Sequence, residues 1–228
     1  MPDCQPPEAR STPPVIRFEQ HVAGTSLPDA ATLGRGTCVA IGNFDGVHVG
    51  HQAELADATR HARSRSLPLL TLTFEPHPVT LFRELPPSRF RLTTPSEKIS
   101  LLHEFGVDNV VALAFTREFA SLTADAFVRD LLVSTLHVRA VFVGHDFNFG
   151  RARAGTHSTL EQAGRTHGFD VFSHAAVSLD SIPVSSTRIR DAVSRGAMRE
   201  AARLLGRDYF FTGMAQPGAG RGNDARNR

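Results

Sequence analysis

The sequence is short of the residues that staple, anchor or export a protein. Its 228 residues include two cysteines, Cys4 and Cys38, too few for a disulfide framework or a zinc ligand set. No apolar run approaches the length that spans a bilayer, and the first residues lack the basic-then-apolar layout of a signal peptide. The expectation is a reducing, cytoplasmic setting with no membrane partner. A strong charge of one sign is also missing. The formal net charge of +2 is too small to attract nucleic acid in bulk. Lysine is nearly absent, since all but one of the 25 basic residues are Arg and the exception is Lys98. We find no internal repeat.

What remains is an ordinary globular composition, 41% hydrophobic and 21% charged, suited to one α/β domain with additional segments. From Cys38 onward, short apolar runs alternate with longer amphipathic ones, the pattern of βαβ units in a parallel sheet. Strands are expected at residues 38–42, 69–74, 110–114, 140–144 and 171–174. Helices are expected at 51–65, 95–105, 124–135, 159–167, 187–195 and 198–205. Thr94, Pro95, Ser96 and Glu97 supply a capping box with a first-turn proline. Residues 1–14, rich in Pro, Ser and charge, read as a flexible leader.

Four segments carry chemistry. GNFDGVHVGH, Gly42 to His51, follows the first confident strand, where open parallel sheets bind ligands. Gly42 and Gly46 let backbone approach a ligand, and Gly50 allows a tight entry into the next helix. His48 and His51 stand three apart at that helix start, where free amides and the dipole favour anions. One such His is ordinary capping, and a His pair is also half a metal site. Strand, Phe-Asp-Gly and His-x-Gly-His together are far more specific, and they read as a nucleoside-triphosphate site.

VSSTRIR, Val184 to Arg190, offers the hydroxyls and amides of Ser185, Ser186 and Thr187 and the charges of Arg188 and Arg190. Alone it is ordinary capping and surface; beside the first motif it reads as a pyrophosphate clamp. TFEPHP, Thr73 to Pro78, sets His77 between two prolines in a stiff loop after the second strand. GHDFNFG, Gly144 to Gly150, follows the fourth strand, with one of Phe147 and Phe149 expected in the core and the other against a planar ligand.

These segments, with RLTTPSEKISLL and FTREFASLTADAFVRDLL, occur in the order found in a known family. From about Val39 to Gly213 the chain resembles the N-terminal, FMN adenylyltransferase module of the bacterial bifunctional riboflavin kinase/FAD synthetases. The resemblance implies an α/β, Rossmann-like parallel sheet flanked by helices, of the nucleotidylyltransferase (His-x-Gly-His) superfamily, over residues 15–205. It implies transfer of AMP from ATP to FMN, giving FAD and pyrophosphate, with Mg²⁺ accompanying ATP and no dedicated metal ligands. His48, His51 and Arg190 would be catalytic. Gly42, Asn43, Phe44, Asp45, Gly50, Ser185, Ser186, Thr187 and Arg188 would bind ATP. Phe74, His77, Pro78, Asp146 and Phe149 would line the flavin pocket. Protonated imidazoles are expected beside the triphosphate.

Two positions depart from the family pattern: Asp146 stands where some members have Asn, and Pro183 where some have Arg. Residues 206–228 resemble the entry to the kinase module and then stop, so a flexible remnant without riboflavin kinase activity is expected. Two other functions stay open: a nucleotidylyltransferase using CTP or another phosphorylated acceptor, and a catalytically weak flavin- or nucleotide-binding regulator.

Overall fold

Apolar, β-branched-rich runs set the frame. In the computed structural model, which describes residues 16–18, 29–83 and 90–212, they form one parallel sheet. Its strands are β1 (Ile16–Phe18), β2 (Thr37–Ile41), β3 (Leu69–Glu75), β4 (Asn109–Ala114), β5 (Val138–Gly144) and β6 (Asp170–His174). The order across the sheet is β1-β4-β3-β2-β5-β6. All five expected strands are present, and β1 adds an edge that the reading did not contain. The expected leader, residues 1–14, lies outside the described residues.

The main helices are α1 (Val49–Ser64), α2 (Pro95–Glu104), α3 (His157–His167), α4 (Ser186–Ser194) and α5 (Met198–Leu205). Side chains alternate across β2, so Val39 and Ile41 join one core while Cys38 and Ala40 join the other. Leu55 and Ala58 of α1 and Leu102 of α2 cover the second face. Leu160 of α3 and the segment Phe127–Val133 cover the first. Helices on both faces bury β2 throughout and β3 up to Phe74, so neither strand presents an exposed face.

The helix expected at 124–135 forms differently. Thr123 caps Ala124–Ala126, and the chain then winds as a π-helix through Phe127–Val133. The wider winding puts Phe127, Val128, Leu131 and Leu132 all into the core. Thr94 and Glu97 form the expected reciprocal cap on α2.

A third cluster joins Leu92, Val184, Ile189, Leu204 and Leu205, seating α4 and α5 against the segment that precedes α2. Of the expected remnant, residues 206–212 are described, and they are tied to the domain. Arg207 donates to the carbonyls of Gly46 (2.6 Å) and Val47 (3.1 Å), and Thr212 bonds the Glu97 carboxylate. Residues 213–228 lie outside the described residues. Among the described residues no helix is long and apolar enough to cross a membrane.

Candidate active site

From β2 the chain crosses to β3 and β4 on one side and returns to β5 and β6 on the other. The order therefore reverses between β2 and β5, and the crevice beyond their carboxyl ends is the site this topology prepares for a ligand. Three of the four chemistry-bearing segments follow β2, β3 and β5 directly, and the fourth enters through α4.

The loop between β2 and α1 is held in a costly shape. Its backbone is left-handed at Phe44 (φ 47°), Gly46 (φ 81°) and Val47 (φ 40°), which is rare for a β-branched residue. At the non-glycine positions Phe44 and Val47 this costs about 1–3 kcal/mol each and persists only when the surroundings over-determine it. Here they do. The buried Asp45 carboxylate accepts from the amides of Leu92 (2.9 Å) and Thr93 (3.2 Å) and meets Arg190 Nη2 at 2.6 Å. Ser186 Oγ donates to Asp45 O, and Gln52 Nε2 donates to Val47 O. The Phe44 ring is wholly buried beneath Gly42 and edge-on to His51. Phe44 and Asp45, expected on ATP, thus support the loop and do not line the crevice, whereas Gly42, Asn43 and Gly50 do.

His48 is the N-cap of α1. Its Nδ1 accepts from His51 N (3.3 Å), so the neutral ring carries its hydrogen on Nε2. The His48 and His51 rings stack at 3.6 Å between centroids and 12° between planes. Gly50 suits this packing, because a Cβ there would stand 3.2 Å from the His48 ring and push it aside by a few tenths of an ångström. Both rings line the crevice, as expected. The expected protonation belongs to the triphosphate complex, and the free protein starts from the neutral state. Burial lowers His48 to about 4 and pushes His51 well below its usual value, with the neighbouring His48 and Lys98 adding to the effect. In the ligand-free protein both imidazoles are neutral donors.

The opposite wall is the start of α4. Ser185 caps it by accepting from Arg188 N, and Ser185, Ser186, Thr187 and Arg190 all face the crevice. Arg190 is fixed on three sides: Nε donates to Phe90 O (2.7 Å), Nη2 pairs with Asp45, and the guanidinium lies 3.9 Å over the Phe90 ring. Arg188 is not brought to the site. It turns away to Glu200 and to the carbonyls of Leu179 and Ile182, tying the hairpin Ser178–Leu179/Ile182–Pro183 to α5. A helix alternates its faces every residue or two, so Arg188 and Arg190 cannot both point inward.

On the β3 side Phe74, His77 and Pro78 line the crevice. The expected stiff loop is shorter than its two prolines suggested, because Pro78 is the first residue of a helix, Pro78–Arg83. Phe74 packs edge-on to Phe115 and tilted to Phe119, and both of those rings also face the crevice. Burial lowers His77 to about 4, opposed by Asp45 and reinforced by Arg190 and Lys98. After β5, Asp146 is exposed on the wall. Phe149 is buried against Phe127 and stacks with Phe147, so it is the core member of the pair and Phe147 the more open one.

The whole crevice holds about 1190 Å³, somewhat above ordinary single-ligand sites and roomy enough for two substrates. Beyond Phe115 and Phe119, sequence reasoning missed three further groups in or under it. Phe90 stacks on Arg190. Lys98, buried, gives its ammonium to Glu75 (2.6 Å), Asn43 O and Thr73 Oγ1 (3.3 Å each), joining the ends of β2 and β3. Glu54 lines the crevice with its Oε1 buried and unpartnered, and burial beside Asp146 raises its carboxyl to about 8. Glu54 continues the three-residue spacing of His48 and His51, a signal present in the sequence. Among the described residues no three His, Cys, Asp or Glu side chains are grouped to hold a metal ion.

The same arrangement has relatives. A family model described as FAD synthetase matches residues 31–188. The bifunctional riboflavin kinase/FMN adenylyltransferase of Escherichia coli K12 is 41% identical over 184 residues, 80% of this chain and 58% of the relative. That of Haemophilus influenzae is 37% identical over 189 residues, 82% of this chain and 60% of the relative. A solved structure described as a macrolide-efflux protein from Streptococcus pneumoniae superposes with a TM-score of 0.75 at 28% identity, covering 86% of this chain and 63% of that one. The chain thus spans about three-fifths of the length of the curated relatives it matches. The matched span holds the stacked His pair, the α4 entrance and every crevice-lining loop between them, and by that match the chain belongs to the FAD synthetase family.

Proposed function

We propose that this chain is an FMN adenylyltransferase, its catalytic unit lying within residues 15–205. An FMN phosphate oxygen attacks the α-phosphorus of ATP in line, a new P–O bond forms, and pyrophosphate leaves to give FAD. The nucleophile is already an anion, so no covalent enzyme intermediate is needed; transfers of this kind depend on positioning and charge stabilisation. The observation that carries the reading is the pairing of walls. His48, His51, Arg190 and the α4 N-terminus line the same crevice as Phe74, Phe115 and Phe119, the first set serving as its phosphate end in this reading and the second as its ring end.

The first end suits a triphosphate, with imidazole Nε2–H, free helix amides and a tethered guanidinium as donors. The second end offers aromatic surface to a planar ring. Mg²⁺ would accompany ATP, held mainly by phosphates and water rather than by a dedicated ligand set. Asp146 is an exposed carboxylate on the wall that can face it, while Asp45 is committed to Arg190. The ion would neutralise charge on the leaving pyrophosphate. A direct test incubates the protein with FMN, ATP and Mg²⁺ and measures FAD and pyrophosphate. FAD formation is expected; preference for CTP or a non-flavin phosphate acceptor, or tight FMN binding without turnover, overturns the reading.

A further inference from the structure

If this crevice transfers an adenylyl group, its donor His51 begins neutral and must meet rising phosphate charge. A second orphan group stands beside it. His51 Nδ1 and Glu54 Oε1 are both buried without a partner, and both side chains line the same crevice. Three residues apart on α1, they share one helix face with Cβ atoms about 5–6 Å apart. Helical side chains lean toward the N-terminus, so Glu54 leans over the turn that carries His51. The groups that face them sort cleanly. His48, stacked on His51, and Lys98 behind it both oppose positive charge on His51. Asp146 opposes negative charge on Glu54.

We propose that Glu54 is the positioning residue of His51: as the triphosphate enters, its carboxyl hydrogen-bonds His51 Nδ1 and passes its proton there. The Glu54 O–H bond breaks and the Nδ1–H bond forms. Nε2 keeps its hydrogen, leaving carboxylate and imidazolium with no proton taken from water. In the free site burial holds the proton on Glu54, whose carboxyl titrates at about 8. The incoming negative charge opposes the carboxylate as well as favouring the cation, so it reverses that preference by lying nearer the His51 ring than the Glu54 carboxyl. The product is a charge-assisted Nε2–H donor, roughly twice as strong as a neutral one. Once that hydrogen bond forms, and before the proton moves, it also fixes the Nε2–H tautomer.

The test uses ¹⁵N-histidine spectra of the full chain with Mg²⁺ and α,β-methylene-ATP, with His51→Gln identifying the signal. Wild type is compared with Glu54→Gln, Glu54→Leu and Glu54→Asp. The wild-type complex is expected to show His51 doubly protonated, and the Gln and Leu variants to show it neutral. Their kcat falls about 10–100-fold, below the ~10²–10³ expected for losing the donor outright, while KM for ATP stays within about twofold. Glu54→Asp restores part of the loss. A neutral His51 in the wild-type complex, a doubly protonated one without Glu54, or a loss confined to KM overturns the proposal. The ring protonation is read without turnover, so failure of FAD synthesis itself is told apart.

Discussion

Asp45 and Arg190, 145 residues apart in the chain, meet at 2.6 Å and lock the β2–α1 loop to α4. The two halves of the proposed phosphate clamp are therefore one mechanical unit. Asp45 is buried and its carboxylate also holds the Leu92 and Thr93 amides. Asp45→Ala leaves Arg190 partly buried and unpaired, a change that costs about 3–5 kcal/mol. A lower Tm and a lost FAD-forming activity are expected together. A variant with unchanged Tm would show that the pair does not brace the loop.

Arg190→Lys tests the clamp without emptying it. An ammonium cannot reach Phe90 O and Asp45 together while lying flat on the Phe90 ring, because that geometry needs a planar fork. Activity is expected to fall at least about tenfold with far less loss of stability than Asp45→Ala. Urea melts beside steady-state assays check this.

His51→Ala is expected to fold normally and lose about 10²–10³ in turnover, the usual cost of removing one preorganised donor. His48→Ala removes a donor and also the cap on α1, so it loses activity and about 0.5–2 kcal/mol of stability. Wild-type FAD formation by His51→Ala would exclude His51 from the chemistry.

The sequence showed the His pair because spacing and helix phase are local. It showed β2, β3, β4, β5 and β6 because each holds a short stretch of apolar or β-branched residues between turns. It failed where a role depends on what lies across the crevice. Phe44 and Asp45 sit inside the strongest motif, yet one is wholly buried and the other is consumed by Arg190. Arg188 and Arg190 look equivalent in VSSTRIR, and only helix phase against α5 separates them. Arg207 reads as tail until its guanidinium is seen on the Gly46 and Val47 carbonyls. The imidazoles were expected charged from the substrate's side, whereas burial governs them in the free protein.

Lys98 was noticed only as a compositional exception. Its compact ammonium matches three acceptors, Glu75, Asn43 O and Thr73 Oγ1, in a buried site. Lys98→Met keeps the stem and removes the charge, stranding Glu75. A loss near the lower end of about 3–5 kcal/mol is expected, because Glu75 keeps some exposure. Lys98→Arg does not restore it, since a larger planar group overpacks the site by about 1–3 kcal/mol. Chemical denaturation of both variants decides; a fully stable Lys98→Arg would show that charge alone matters.

Stability against pH separates the buried groups by sign. His48 is depressed to about 4, so the unfolded chain takes its proton first as pH falls from about 6.5. The native state is weakened progressively between about 6.5 and 4, and His48→Gln should flatten that acid limb apart from a constant cap loss. Glu54 is raised to about 8, so its sign is opposite. Its contribution is fully present below the ordinary value of 4.5, where both states hold the proton, and is lost as pH rises toward 8. Each unit of that shift corresponds to about 1.4 kcal/mol, so a buried Glu54 is a cost at neutral and alkaline pH. Glu54→Gln is expected to match wild type near pH 4 and to exceed it increasingly up to pH 8, levelling above. Urea unfolding across that range measures the difference. A gain that is constant with pH would mean that Glu54 is already ionised in the folded protein, and the proton it is proposed to lend His51 would not be there.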